Sequence, residues 1–118
     1  MKKITIGIMS RDEYQKRAIA IASGKYKPGR GEPKVFFNSM KSLSEVLSDK
    51  NRELMKIIAE QEPETITELA AISGRELSNV SRTIKTLERY GIVETERSRH
   101  SKRPIAKATK FHIHLSAC

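Results

Sequence analysis

Ser78, Arg82, Lys85 and Arg89 recur every three or four residues in GRELSNVSRTIKTLERYGIV, residues 74–93. At about 100° per residue they share one side of a helix, with Ser81 beside them; Val80, Ile84 and Leu87 form a narrow apolar stripe opposite. Hydroxyls and cations in this pattern supply hydrogen-bond donors of short and long reach. Their chemistry is non-covalent. Short side chains (Ser78, Asn79, Ser81) let the backbone come close to a surface, while Arg82 and Lys85 extend to phosphate oxygens or a guanine edge. A merely solvated helix face has the same composition, so its meaning depends on its surroundings.

Thr65 to Glu68 reads as a capping box. It opens a short helix carrying Ile66, Leu69, Ala70 and Ile72, closed by Gly74. Only a turn around Gly74 and Arg75 separates this helix from the next, expected from about Glu76 to Tyr90 with Gly91 as its stop. Two helices so joined form a helix-turn-helix, in which the first braces the second against a duplex major groove. The second helix's N-terminus carries partial positive charge that suits a phosphate. Glu76 would oppose one there and is expected to act as a local cap or to pair with a base. Ile92 and Val93 begin a strand. From Arg97 to Lys110 there are six Lys and Arg residues and no acid. Strands are expected to flank a Ser-Arg-His-Ser-Lys-Arg-Pro tip, with FHIHL (Phe111 to Leu115) as the returning strand, because Phe111, Ile113 and Leu115 alternate onto one face. A two-stranded ribbon with a basic tip is a wing that reaches phosphates or a minor groove.

The stretch ITELAAISGRELSNVSRTIKTLERYGIVETE resembles the MarR-type and related bacterial and archaeal winged helix-turn-helix transcriptional regulators. The matching elements are LAA, then NVSRTIKTLERYGIV, then the basic wing, within roughly residues 42–115. The N-terminal segment departs from the long dimerising helices of the MarR layout. It is closer to small winged-helix regulators of mobile elements, some of which are antitoxins. The resemblance implies double-stranded DNA as partner and carries the family's base-reading positions onto Ser78, Asn79, Ser81, Arg82 and Lys85. It carries backbone contacts onto Thr65, Thr67 and Arg75 and onto the wing residues Arg97, Arg99, Lys102 and Arg103.

Before this region, KITIGIM reads as a strand. Ser10 to Glu13 caps a helix with Tyr14, Ala18, Ile21 and Ala22 on one face and Gly24 as its stop. KYKPGRGEPK (residues 25–34) is an expected mobile loop, and Val35 to Phe37 a second short strand. So small a unit cannot bury both strand faces and must lean on the rest of the chain or on another copy. Ser42 to Glu45 is a further capping box, opening a helix with Leu43, Val46 and Leu47. Ser48 caps the next, with Leu54, Met55, Ile57 and Ile58 inward and its end before Pro63. The expected fold class is thus α+β: a mainly helical winged helix-turn-helix with a C-terminal β-hairpin wing (38–118) and a small N-terminal β-α-β segment (1–37) for dimerisation or partner binding.

Net charge is +9, from 23 Lys and Arg against 14 Asp and Glu, which favours a polyanionic partner. Cys118 is the single cysteine, so no intrachain disulfide forms and no Cys/His zinc cluster exists. His112 and His114 share a strand face without a cysteine or nearby carboxylate to complete a metal set. Gly29 and Gly31 lack the spacing of a phosphate-binding loop. The serines lack a base partner, and the aromatics are too dispersed for an RNA-stacking platform. No enzyme activity, cofactor or metal is expected. The short apolar run after Met1 is broken by Arg11, Asp12 and Glu13, so a cytoplasmic setting is expected. The sequence points to a homodimeric DNA-binding repressor. An antitoxin that also binds a protein toxin, or a basic RNA-binding protein, are the alternatives.

Overall fold

The computed structural model describes residues 3–98 and 101–115. Strand β1 (Lys3–Ile8) leads through helix α1 (Arg11–Ala22) to strand β2 (Val35–Phe37), which pairs with β1 in parallel, Ile6 beside Val35 and Ile8 beside Phe37. The other edge of β1 is taken by β5 (Lys110–His114), also parallel, with Ile4 beside Phe111 and Ile6 beside Ile113. Phe111 to Leu115 was expected to return along the basic ribbon; it instead completes the N-terminal sheet. Period-two alternation identifies a strand but not its partner. Ala108 is fully buried, and the Lys107 N–H donates to the Ile92 carbonyl at 2.9 Å, so the chain leaves the ribbon there. β1 would otherwise have a bare edge, which the parallel strand covers.

Ile4, Ile6 and Ile8 lie on one face of this sheet with Val35, Phe37 and Phe111, and they pack against Leu43 and Tyr90. The Phe37 ring stacks on Tyr90 at 4.3 Å with 19° between planes. The opposite face presents Phe36, met edge-on by Tyr14 at 5.7 Å and capped by the Arg17 guanidinium at 4.9 Å. Gly7 makes room for that ring: a Cβ there would stand 2.8 Å from Phe36. Helix α1 has no buried residue. Its expected inner face is largely exposed; the half-buried positions are Arg17, Ala20 and Ile21, a rotation set by Arg17 lying over Phe36. Residues 25–34 are tied down through Glu32, which accepts from the Tyr26 hydroxyl, accepts from the Gly29 N–H at 2.8 Å, and pairs with Arg17 at 3.5 Å. The Tyr26 hydroxyl, then the Gly29 N–H, hold the Glu32 carboxyl below the usual carboxylate range.

Helix α2 (Met40–Val46) is capped by Ser39, whose Oγ accepts from the Ser42 N–H at 3.1 Å. Ser42 was the expected cap; Ser39 stands three residues ahead and takes the role, leaving Ser42 inside the first turn. Helix α3 (Asp49–Gln61) starts at its expected cap Ser48. Helix α4 (Ile66–Ser73) starts at Thr65, whose Oγ1 accepts from the Glu68 N–H at 2.9 Å, and ends at Gly74 with φ 73°. That left-handed geometry suits glycine. Helix α5 (Leu77–Arg89) follows at once. The main core joins Leu54, Met55 and Ile58 of α3, Leu69 and Ala70 of α4, and Val80, Ile84 and Leu87 of α5 with Ile92 and Val93. Ile72, expected inside, is exposed. Strands β3 (Val93–Ser98) and β4 (Ser101–Ala106) form an antiparallel hairpin that closes with Ser98 opposite Ser101. Lys102, Arg103 and Pro104, expected in the tip, are therefore strand residues. The architecture is an α+β winged helix-turn-helix.

Candidate nucleic-acid interface

The sequence of α5 divides its surface sharply. Val80, Ile84 and Leu87, one turn apart, are buried, and this burial rather than intrinsic propensity fixes the helix against the core. Ser78, Asn79, Arg82, Lys85 and Arg89 are exposed, and Ser81 is half-buried at the margin. Glu76 occupies the cap position but makes no side-chain cap bond, contrary to its expected local role.

The two flanks of α5 are bounded by different elements. On one side the ribbon is fastened by Thr95, whose hydroxyl donates to the Glu88 carboxylate at 2.6 Å. Ser81, half-buried, lies two turns before Glu88 on the same line of the helix. Arg97 follows Thr95 by two residues and so projects from the same ribbon face, with Lys102 directly opposite it. Both are exposed. Like charges facing across a ladder are destabilising by themselves, and a bound polyanion relieves them. Arg103 lies on the other ribbon face, paired with Glu96 at 3.8 Å, while Glu94 pairs with Lys107 at 3.6 Å. These exposed pairs stabilise by at most about 1 kcal/mol. Arg99 and His100 lie outside the described residues.

On the other flank, Arg75 turns inward. Its Nη1 donates to Asn51 Oδ1 at 3.2 Å, and its Nη2 donates to Asn79 Oδ1 and to Thr83 Oγ1, each at 3.0 Å. The expected backbone contact by Arg75 competes with these bonds. Asn51 and Thr83 were not singled out in the sequence. Asn51 stands 24 residues from Arg75, so no local spacing announces the contact. Thr67 is exposed on α4. Thr65 shares a cleft of about 480 Å³ with Glu64, Glu96, Arg97, Ser101 and Arg103. That cleft brings the α4 N-terminus to the ribbon, although its two glutamates reduce its attraction for phosphate. The candidate residues thus divide among an open α5 face, a ribbon face beside it and an α4 cleft. Among the described residues, no group of three or more His, Cys, Asp or Glu gathers as a metal site. Within the same residues, no helix is long and apolar enough to cross a membrane.

Comparison with solved structures finds the MosR transcriptional regulator of M. tuberculosis, with TM-score 0.46 and 22% identity, covering 81% of this chain and 63% of that one. A MarR-like transcriptional regulator from Thermotoga maritima matches with TM-score 0.46 and 19% identity, covering 84% of this chain and 66% of that one. The chain spans less than two thirds of the length of either. No curated protein matches it at a significant level. A family model, HVO_A0114, matches residues 46–113, which hold α3 to α5, the ribbon and most of β5. That is more than half of the chain, and the chain belongs to the HVO_A0114 family.

Proposed function

We propose that the protein is a sequence-specific, double-stranded DNA-binding transcriptional regulator acting as a homodimeric repressor. The observation that carries this reading is the open face of α5. Ser78, Arg82, Lys85 and Arg89 lie free of the core, beside a ribbon whose Arg97 and Lys102 make no ion pair among the described residues and lie on the same side as the Thr95–Glu88 bond. A helix of this width enters a B-form major groove, and the ribbon then meets the flanking backbone. Ser78, Ser81, Arg82 and Lys85 read base edges; Arg97 and Lys102 contact phosphates. The first 37 residues, with the start of the following helical region, form the dimer contact. In support, Tyr14 and Ile19 of α1 and Met40 of α2 are exposed, as are Ile113 of β5 and Leu115 just after it. Selection of bound fragments from genomic DNA tests the function, with duplex RNA of matched length as competitor. Enrichment of a two-part site that duplex RNA does not displace is expected, since the RNA major groove does not admit the helix. Equal competition by RNA would overturn the reading, and a monomer in light scattering at micromolar concentration would overturn its dimeric part.

A further inference from the structure

We infer that Arg75 is a positioning residue for base recognition: it holds the Asn79 carboxamide with its carbonyl turned into the protein, so that Asn79 offers the duplex only N–H donors. The inference rests on the reading of α5 as the DNA-reading helix. A guanidinium has donors and no acceptor, so the Asn79 atom 3.0 Å from Arg75 Nη2 is the carbonyl oxygen. The same logic fixes Asn51. Its Oδ1 accepts from Arg75 Nη1 at 3.2 Å, while its Nδ2 donates at 3.0 Å to the Val46 carbonyl, which can only accept. A directed chain of hydrogen bonds therefore runs from the last turn of α2 through Asn51 and Arg75 to Asn79 and Thr83 on α5. Arg75 is itself half-buried, and its planar fork meets partners on two helices at once, which a lysine could not do.

The consequence is a restriction on which base Asn79 reads. Recognition of adenine by asparagine uses both ends of the carboxamide: Nδ2 donates to N7 and Oδ1 accepts from N6. Oδ1 has a second lone pair, but its bond to the Arg75 cation keeps it turned to the protein side, and presenting both ends of the carboxamide to one base breaks that bond. Nδ2 remains exposed and suits an acceptor edge, either guanine N7 and O6 or thymine O4. The adenine amino group would face a donor with a donor.

The test is selection from a randomised duplex library with the full chain, in wild-type, Arg75→Met, Arg75→Lys and Asn79→Ala forms, with thermal unfolding followed in parallel. The base position whose preference relaxes in Asn79→Ala is the one Asn79 reads. Guanine or thymine is expected there in the wild type. In Arg75→Met the ratio at that position alone shifts toward adenine by about tenfold, the scale of one bidentate contact. Arg75→Lys, which keeps the charge but not the fork, shifts it in the same direction and serves if Arg75→Met fails to fold. Adenine at that position in the wild type would overturn the inference. So would even weakening at every position in both Arg75 variants, because that is the signature of a structural role alone. A wild-type chain that enriches no sequence would overturn the DNA reading of α5, and this inference with it.

Discussion

Arg82→Ala separates base reading from simple attraction to DNA. Arg82 lies at the centre of the open face of α5, exposed, and its guanidinium bonds to no side chain among the described residues. Its backbone carbonyl accepts from the Thr86 hydroxyl at 3.1 Å, and truncation leaves that bond in place. Alanine is also at least as good a helix former. Folding stability should therefore change by no more than about 0.5 kcal/mol, the usual range for a surface substitution. Binding should behave differently. Loss of a bidentate base contact costs about 1–3 kcal/mol, or roughly 5- to 150-fold in Kd. Fluorescence anisotropy on the selected duplex and on a scrambled duplex of equal length, at two salt concentrations, reads the two effects apart. The expected result is a loss on the selected duplex that exceeds the loss on the scrambled one, with an unchanged urea midpoint. Equal weakening on both duplexes, with the salt slope reduced by about 0.9, would place Arg82 on a phosphate. Unchanged binding to both would mean that this face of α5 does not meet DNA.

Lys102→Ala should weaken selected and scrambled duplexes alike and lower the log–log salt slope by about 0.9, measured by the same anisotropy titrations. Leu87→Ala removes a side chain with 0% exposure from the centre of the core. It should destabilise by about 2–5 kcal/mol, read as a fall in the urea midpoint at unchanged m-value. Tyr26→Phe removes the main cause of the depressed Glu32 carboxyl. A depressed folded-state value means that the contact stabilises above the ordinary carboxylate range and is lost as pH falls through the folded value. The variant should move the Glu32 titration upward in a side-chain NMR experiment; a titration identical to wild type would show that the Tyr26 hydroxyl does not set it.

The elements of the fold are legible from local signals because these act over one turn or one pleat. Ser48, Thr65 and Gly74 cap helices where their types predict, and the apolar interval of Val80, Ile84 and Leu87 orients α5 correctly. The failures share a cause of the opposite kind. Phe111 to Leu115 alternates as a strand should, but its partner, β1, lies at the far end of the chain, and no periodicity encodes that pairing. Helix α1 follows the same rule: its buried side is chosen by a contact between Arg17 and Phe36 across the β1–β2 connection, not by its own apolar spacing. In the candidate site, composition revealed the open row of donors. It did not reveal that Arg75 is engaged by Asn51, because an arginine in a turn reads as a free cation until its partners are seen.

The placement of the sheet bears on how α5 would meet a duplex. Tyr90 caps the C-terminal end of α5, and its ring stacks on Phe37 of the N-terminal sheet. The Arg75 fork joins the first half of the same helix to α3 and, through Asn51, to the end of α2. Helix α5 is thus held near its start by α3 and the end of α2 and near its end by β2, while its outer face is left open. Ile4 and Phe111 pack into both apolar clusters, so sheet and helices share one interior rather than meeting at a polar seam. Rotation of α5 against the sheet would have to break an aromatic stack, a hydrogen-bonded chain and a shared core together. If the sheet side carries the second protomer, the distance and angle between the two α5 helices are set by this packing and not by a flexible linker. Half-site spacing would then be a fixed property of the dimer, about one helical turn of DNA or a multiple of it. Inserting half a turn of DNA between the half-sites would place the second α5 on the wrong side of the duplex.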